Sequence, residues 1–209
     1  MRTFYAAALV SVALLTPAHA ETRSLEGQAF HAIDARGPYR LKIRAGAPAA
    51  RAVADGRAEF LRDLDMHVEN GVLLIRRQCS GLCNSRETRA VIDIAAPALD
   101  RVAIGWGADA DVRGLAANTF DAAASMGAEL RLAGTCGSLT ASASMGAEMR
   151  AADLKCESVH ASASMGADVY VYASHSINAR AGMGADVRVA GEPEQRDVHG
   201  GIGADVTVQ

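Results

Sequence analysis

The stretch Ala141-Ser142-Ala143-Ser144-Met145-Gly146-Ala147 returns residue for residue as Ala161-Ser162-Ala163-Ser164-Met165-Gly166-Ala167. Its centre, a glycine followed by alanine and an acid, recurs at Gly107, Gly127, Gly146, Gly166, Gly184 and Gly203, at intervals of 20, 19, 20, 18 and 19 residues. A period in this range marks a repeat architecture, in which each unit buries its apolar side only against its neighbours. Apolar residues alternate on both sides of the glycine. After it come Ala167, Val169 and Val171, then Ala185, Val187 and Val189; before it stand Leu139, Ala141 and Ala143, then Val159, Ala161 and Ala163. Alternation with period two spells a strand. Two short strands and their turns fill one unit, and stacking like units aligns like residues in columns. Each unit is therefore read as one rung of an all-β, parallel β-solenoid with rungs of about 19 residues. At a strand spacing of about 4.8 Å, the six-copy region is about 25 to 30 Å tall.

Upstream, residues 21–97 alternate like strands without repeating: Tyr39 to Ile43, Met66 to Val68, Val72 to Ile75 and Val91 to Ile94, with Asn70-Gly71 as a hairpin signal. This part is expected to supply irregular rungs and a cap for one end, continuous with the regular repeats of 98–209. Residues 1–20 have the form of a secretory signal peptide: Arg2, an apolar run from Phe4 to Leu15, and Ala18-His19-Ala20 before the cleavage point. A periplasmic or secreted protein starting at Glu21 is expected, with no transmembrane segment. The formal charge is −3, and −4 once Arg2 leaves with the signal (−3 − 1). That balance argues against nucleic acid as a partner, which calls for a basic stripe. Half of the residues are hydrophobic, but aromatics make up only 4% and there are 20 glycines, so the core is a thin strip of small contacts.

Several of these segments are familiar together. Phe30-His31-Ala32-Ile33, the Gly37-Pro38-Tyr39-Arg40-Leu41-Lys42-Ile43 strand, Glu69-Asn70-Gly71-Val72-Leu73-Leu74-Ile75, and Ala96-Pro97-Ala98-Leu99 followed by rungs resemble the head GIN domain family of bacterial envelope proteins, often labelled auto-transporter adhesins. The resemblance covers nearly all of the mature chain and implies an exported β-helical domain with no catalytic motif to carry over. Family rungs usually read Ser-Gly-Ser-Gly-Asp, where this chain has Ser164-Met165-Gly166-Ala167-Asp168 and its equivalents.

Stacking turns every repeat position into a column, and three columns carry chemistry. Asp109, Glu129, Glu148, Asp168, Asp186 and Asp205 form an acidic one, which calcium could bridge. Arg131, Arg150 and Arg188, two residues further on and outward as well, can instead neutralise it sideways, and a solvated charge ladder is the reading preferred. Trp106, Met126, Met145, Met165, Met183 and Ile202 form the second. Stacked thioethers are soft ligands suited to Cu(I). Because Trp106 and Ile202 end the same column and neither is a ligand, core filling by flexible side chains is expected. In the third, Tyr170 interrupts the arginines, with Tyr172 on the same face; Arg131, Arg150, Tyr170, Tyr172 and Arg188 make the best candidate for a ligand patch, able to stack on a sugar ring and hydrogen-bond it. Its plain alternative is mutual cation–π stacking.

No catalytic residue is assigned and no cofactor is expected. The histidines fall in no zinc-type spacing, and His160 shares an outward column with Asp121, Thr140, Asn178 and Asp197 that offers no obvious pocket. The function expected is a non-enzymatic envelope binding or structural module whose partner is an envelope protein or a glycan. A carbohydrate-active β-helix enzyme or glycan-binding protein is the alternative. Cys136 and Cys156 each stand ten residues before the next rung's glycine, so they should lie in adjacent rungs at disulfide distance. Cys79 and Cys83, around Ser80-Gly81-Leu82, are expected to form a second, local disulfide. The last strand should turn Ala204, Val206 and Val208 inward and present an open edge, suited to pairing with a second copy or a partner's strand.

Overall fold

The structure, a computed structural model, describes residues 21–78 and 90–209. The repeats form a parallel β-solenoid, as their period predicts. Four long strands, β9 (Asp109–Ser125), β10 (Glu129–Ser144), β11 (Glu148–Ser164) and β12 (Asp168–Gly182), each run along one face, bend through a corner and continue along a second face. They pair in parallel with like residues in register: Leu139 with Val159, Ala141 with Ala161, Ser144 with Ser164. The stack ends in β13 (Asp186–Ala190), β14 (Gln195–Gly200) and β15 (Asp205–Val208), with β13 and β14 on β12 and β15 on β13.

In the irregular part, chain order and stack order differ. The first rung, β2 (Ala32–Arg36) with β3 (Arg40–Ala45), lies beneath the rung of β8 (Arg101–Gly105) and the start of β9. The chain then passes below it through β4 (Arg51–Gly56), α1 (Ala58–Arg62) and β5 (Leu64–Glu69), and lays another rung, β6 (Val72–Arg77) and β7 (Val91–Ala96), on the free side of β2 and β3. Here antiparallel pairing takes over. β4 lies antiparallel on β7, β1 (Glu21–Glu26) on β4, and β5 on β6. The β5–β6 turn is the expected Asn70-Gly71, with φ of 51° and 77°. Buried Phe60 and Leu61 of α1 close this end of the core, Phe60 meeting Tyr39 edge to face at 5.9 Å between centroids. Tyr39 is fully buried, and that burial raises its phenol pKa.

The core sits between the two faces. Leu130, Met149, Val169 and Val187 point in from one, and Ala122, Ala141, Ala161 and Ala179 from the other; all are buried. Large residues on one face and small ones on the other let the two faces approach closely, which explains a core built from so few aromatics. Cys136 and Cys156 pair across adjacent rungs and are bonded, their Cα atoms 4.5 Å apart. Cys79, Cys83 and residues 1–20 lie outside the described residues. No helix of the described residues is long and apolar enough to cross a membrane.

Candidate functional site

Each regular rung turns at a four-residue unit of the kind Ser-Met-Gly-Ala. Met126, Met145, Met165 and Met183 have φ of 52°, 53°, 52° and 51°, and the glycines after them are left-handed too. Two consecutive left-handed residues, closed by the Ala128 N–H on the Ser125 carbonyl at 3.2 Å and by Ala147 on Ser144 at 3.3 Å, give the type I′ pattern. The turns are tied from rung to rung. Gly127 N–H donates to Met145 O, Gly146 to Met165 O and Gly166 to Met183 O, each at 3.1 Å.

This geometry corrects the core-filling expectation for the methionine column. Trp106 is 61% exposed, Met126 41%, Met145 43%, Met165 46%, Met183 64% and Ile202 90%. The inward place belongs to the alanine after each glycine, Ala108, Ala128, Ala147, Ala167 and Ala185, all buried. Reversal through the left-handed pair throws the residue before the glycine to the outer tip. A left-handed conformation costs a residue with a Cβ about 1–2 kcal/mol, and Trp106, at φ 62°, shares it with the four methionines.

On the neighbouring face, the unequal rung lengths build a groove. The rung from Gly146 has 20 residues and the next, from Gly166, has 18. Ala151 pairs with Val171, but the next pair is Lys155 with Tyr172, so Ala152, Asp153 and Leu154 leave the register. Leu154 turns into the core, while exposed Asp153 and half-exposed Ala152 rise as a wall. The result is a shallow groove of about 410 Å³ lined by Glu148, Arg150, Ala152, Asp153 and Tyr170.

Register places the third predicted column as read: Arg131 beside Arg150, Arg150 beside Tyr170, Tyr170 beside Arg188. The five candidates nevertheless divide. Arg150 and Tyr170 line the groove. Arg188 backs Tyr170, donating to its hydroxyl at 2.8 Å with its guanidinium carbon 5.2 Å from the ring centroid. Tyr172 faces Lys155, whose Nζ lies 3.9 Å from the ring centroid. Arg131 is held away by Asp109 at 3.1 Å and by Glu129. Asp153 and Lys155 escaped the sequence reading; the signal that would have found them is the interval of 20 followed by 18.

The acidic column is also in register, and most of it is engaged by neighbours. Arg40 lies 3.6 Å from Asp109, Arg150 2.6 Å from Glu148 and 3.7 Å from Glu129, and Arg188 3.3 Å from Asp186. Asp205 accepts from Thr207 at 2.9 Å. The hydrogen bond and charge of Glu148 raise the pKa of Arg150 further, so this lining residue is a fixed cation. Among the described residues no three His, Cys, Asp or Glu side chains converge as metal ligands. His160 stands exposed between Thr140 and Asn178, and Asn178 donates to Asp197 at 2.6 Å.

Solved structures share this architecture. A protein described as a "putative adhesin" from Bacteroides fragilis matches with a TM-score of 0.69 at 17% identity, over 91% of this chain and 96% of the other. Another with that description, from Parabacteroides distasonis, matches at 0.70 and 10% identity, over 91% and 97%. A "putative lipid binding protein" from the same species matches at 0.52 and 14%, over 90% and 96%. No curated protein matches the sequence. The family model described as "Putative auto-transporter adhesin, head GIN domain" matches residues 29–193, and the chain belongs to that family.

Proposed function

We propose that this chain is an exported, non-enzymatic envelope module that binds a glycan in the groove between Arg150 and Tyr170. One observation carries the reading: an aromatic ring, a fixed guanidinium and two carboxylates, Glu148 and Asp153, surround a single open groove. The C–H face of a sugar ring packs on an aromatic surface, and its hydroxyls take charge-assisted hydrogen bonds from arginine and give them to carboxylates. The family description, adhesin, agrees with binding to an external partner. Residues 1–20 supply the export signal. A hydrolase would need a shielded acid facing a second carboxylate across the scissile bond, whereas Glu148 is engaged by Arg150 and the groove is open.

The test is calorimetric titration of mature protein with envelope-polysaccharide oligosaccharides, with reducing ends measured in the same samples. Saturable binding is expected, weakened about two- to tenfold by Tyr170→Ala, the scale of a lost aromatic contact. Thr140→Ala, on the other face, should bind as the parent does, and no reducing ends should appear. Binding indifferent to Tyr170→Ala would contradict the groove. Reducing ends that vanish on replacing Asp168 or His160 would establish the enzyme instead.

A further inference from the structure

We propose that Met126, Met145, Met165 and Met183 form a binding row for a soft monovalent cation, copper(I) or silver(I). The turn ladder of hydrogen bonds keeps these four residues on successive rungs, one strand spacing apart. That spacing, about 4.8 Å, is close to twice a metal–sulfur bond, taking the zinc–thiolate length of about 2.3 Å as the scale. Two neighbouring thioethers extended in the same direction therefore bracket one ion in linear two-coordination, a geometry these d¹⁰ ions accept. Thioether sulfur selects soft ions over hard ones such as calcium or magnesium.

Two further observations separate this row from an incidental apolar ridge. Every one of the four methionines sits on a left-handed backbone that would relax with glycine or asparagine in its place, and none enters the core: all four stay 41% to 64% exposed. The surrounding residues also differ between copies: Ala124-Ser125 precedes Met126, whereas Ala181-Gly182 precedes Met183. The serine changes and the methionine does not, so recent duplication of the Ala-Ser-Ala-Ser-Met-Gly-Ala unit does not account for the whole row. Trp106 and Ile202 bound the row at its two ends.

The probe is silver(I), added without thiol reductant so that the Cys136–Cys156 bond stays closed, and the readout is the NMR shift of ¹³C-labelled methionine methyl groups. That readout is blind to silver on Cys79, Cys83 or histidine. The four row methyls should shift together and saturate at about two ions per chain, each sulfur serving one ion. Buried Met66 and Met149 should stay in place as internal references for the fold. In a Met145→Leu/Met165→Leu variant, which keeps the apolar surface, Met126 and Met183 are left three rungs apart, and silver affinity should fall at least tenfold. Row methyls unmoved by excess silver, or a double variant whose remaining row methyls respond at the parent's silver concentration, would overturn the proposal.

Discussion

At the scale of single residues, the rung turn decides what each side chain does. Met165, at φ 52°, lies outside the core and is 46% exposed, so Met165→Asn should raise stability by about 0.5–1 kcal/mol, read as a higher midpoint in chemical denaturation. Gly166 is the converse. A Cβ there would meet nothing within 4 Å, yet φ is 69°, so Gly166→Ala should cost about 1 kcal/mol from the backbone alone. Sequence placed the methionines in one column correctly and on the wrong side of the sheet. Alternation counts outward and inward positions only while the chain stays extended. At Met165-Gly166 two left-handed residues break the count, and Met165, unlike Asn70, does not announce the first of them.

Elements are held by what passes between rungs. Replacing Cys136 and Cys156 together by serine should lower stability by about 3 kcal/mol in the chain-entropy account, measured against the oxidised parent. Gly134 gives a harsher case: at φ 141°, a Cβ would stand 2.1 Å from the Leu115 carbonyl oxygen of the rung before. Gly134→Ala should cost about 3 kcal/mol or more, because rigid backbone stands where the new atom must go. The Cys136–Cys156 pairing was legible from equal offsets to the next glycine. The bulge of Ala152 to Leu154 was not, since an interval of 20 says that residues are extra but not where they leave the register. Packing decides that, by drawing Leu154 into the core and leaving Asp153 outside. Nor was the placing of β6 and β7 below β2 and β3 readable, because short strands of similar alternation fit any neighbouring slot.

Across the whole molecule, the two ends of the stack differ. One is closed by β1, β4, β5 and the buried face of α1. At the other, β15 pairs with β13 alone among the described strands, β14 is exposed throughout, and Val198 remains 40% exposed. Asp205 and Gln209 donate their N–H groups back to Ala185 and Val189, so the N–H of Val206 points to the open side. Sizing of a chain starting at Glu21 across concentration should therefore show association, which Val206→Pro abolishes without disturbing the β13 ladder. Equal, monomeric behaviour of both would remove this contact. The proposed glycan binding at the Arg150–Tyr170 groove is tested most directly by crosslinking in cells. A photo-crosslinking residue at Ala152, on the groove wall, should capture saccharide-bearing adducts that Tyr170→Ala depletes and that the same crosslinker at Thr140 does not give. Adducts without saccharide, or equal yields from Ala152 and Thr140, would contradict it.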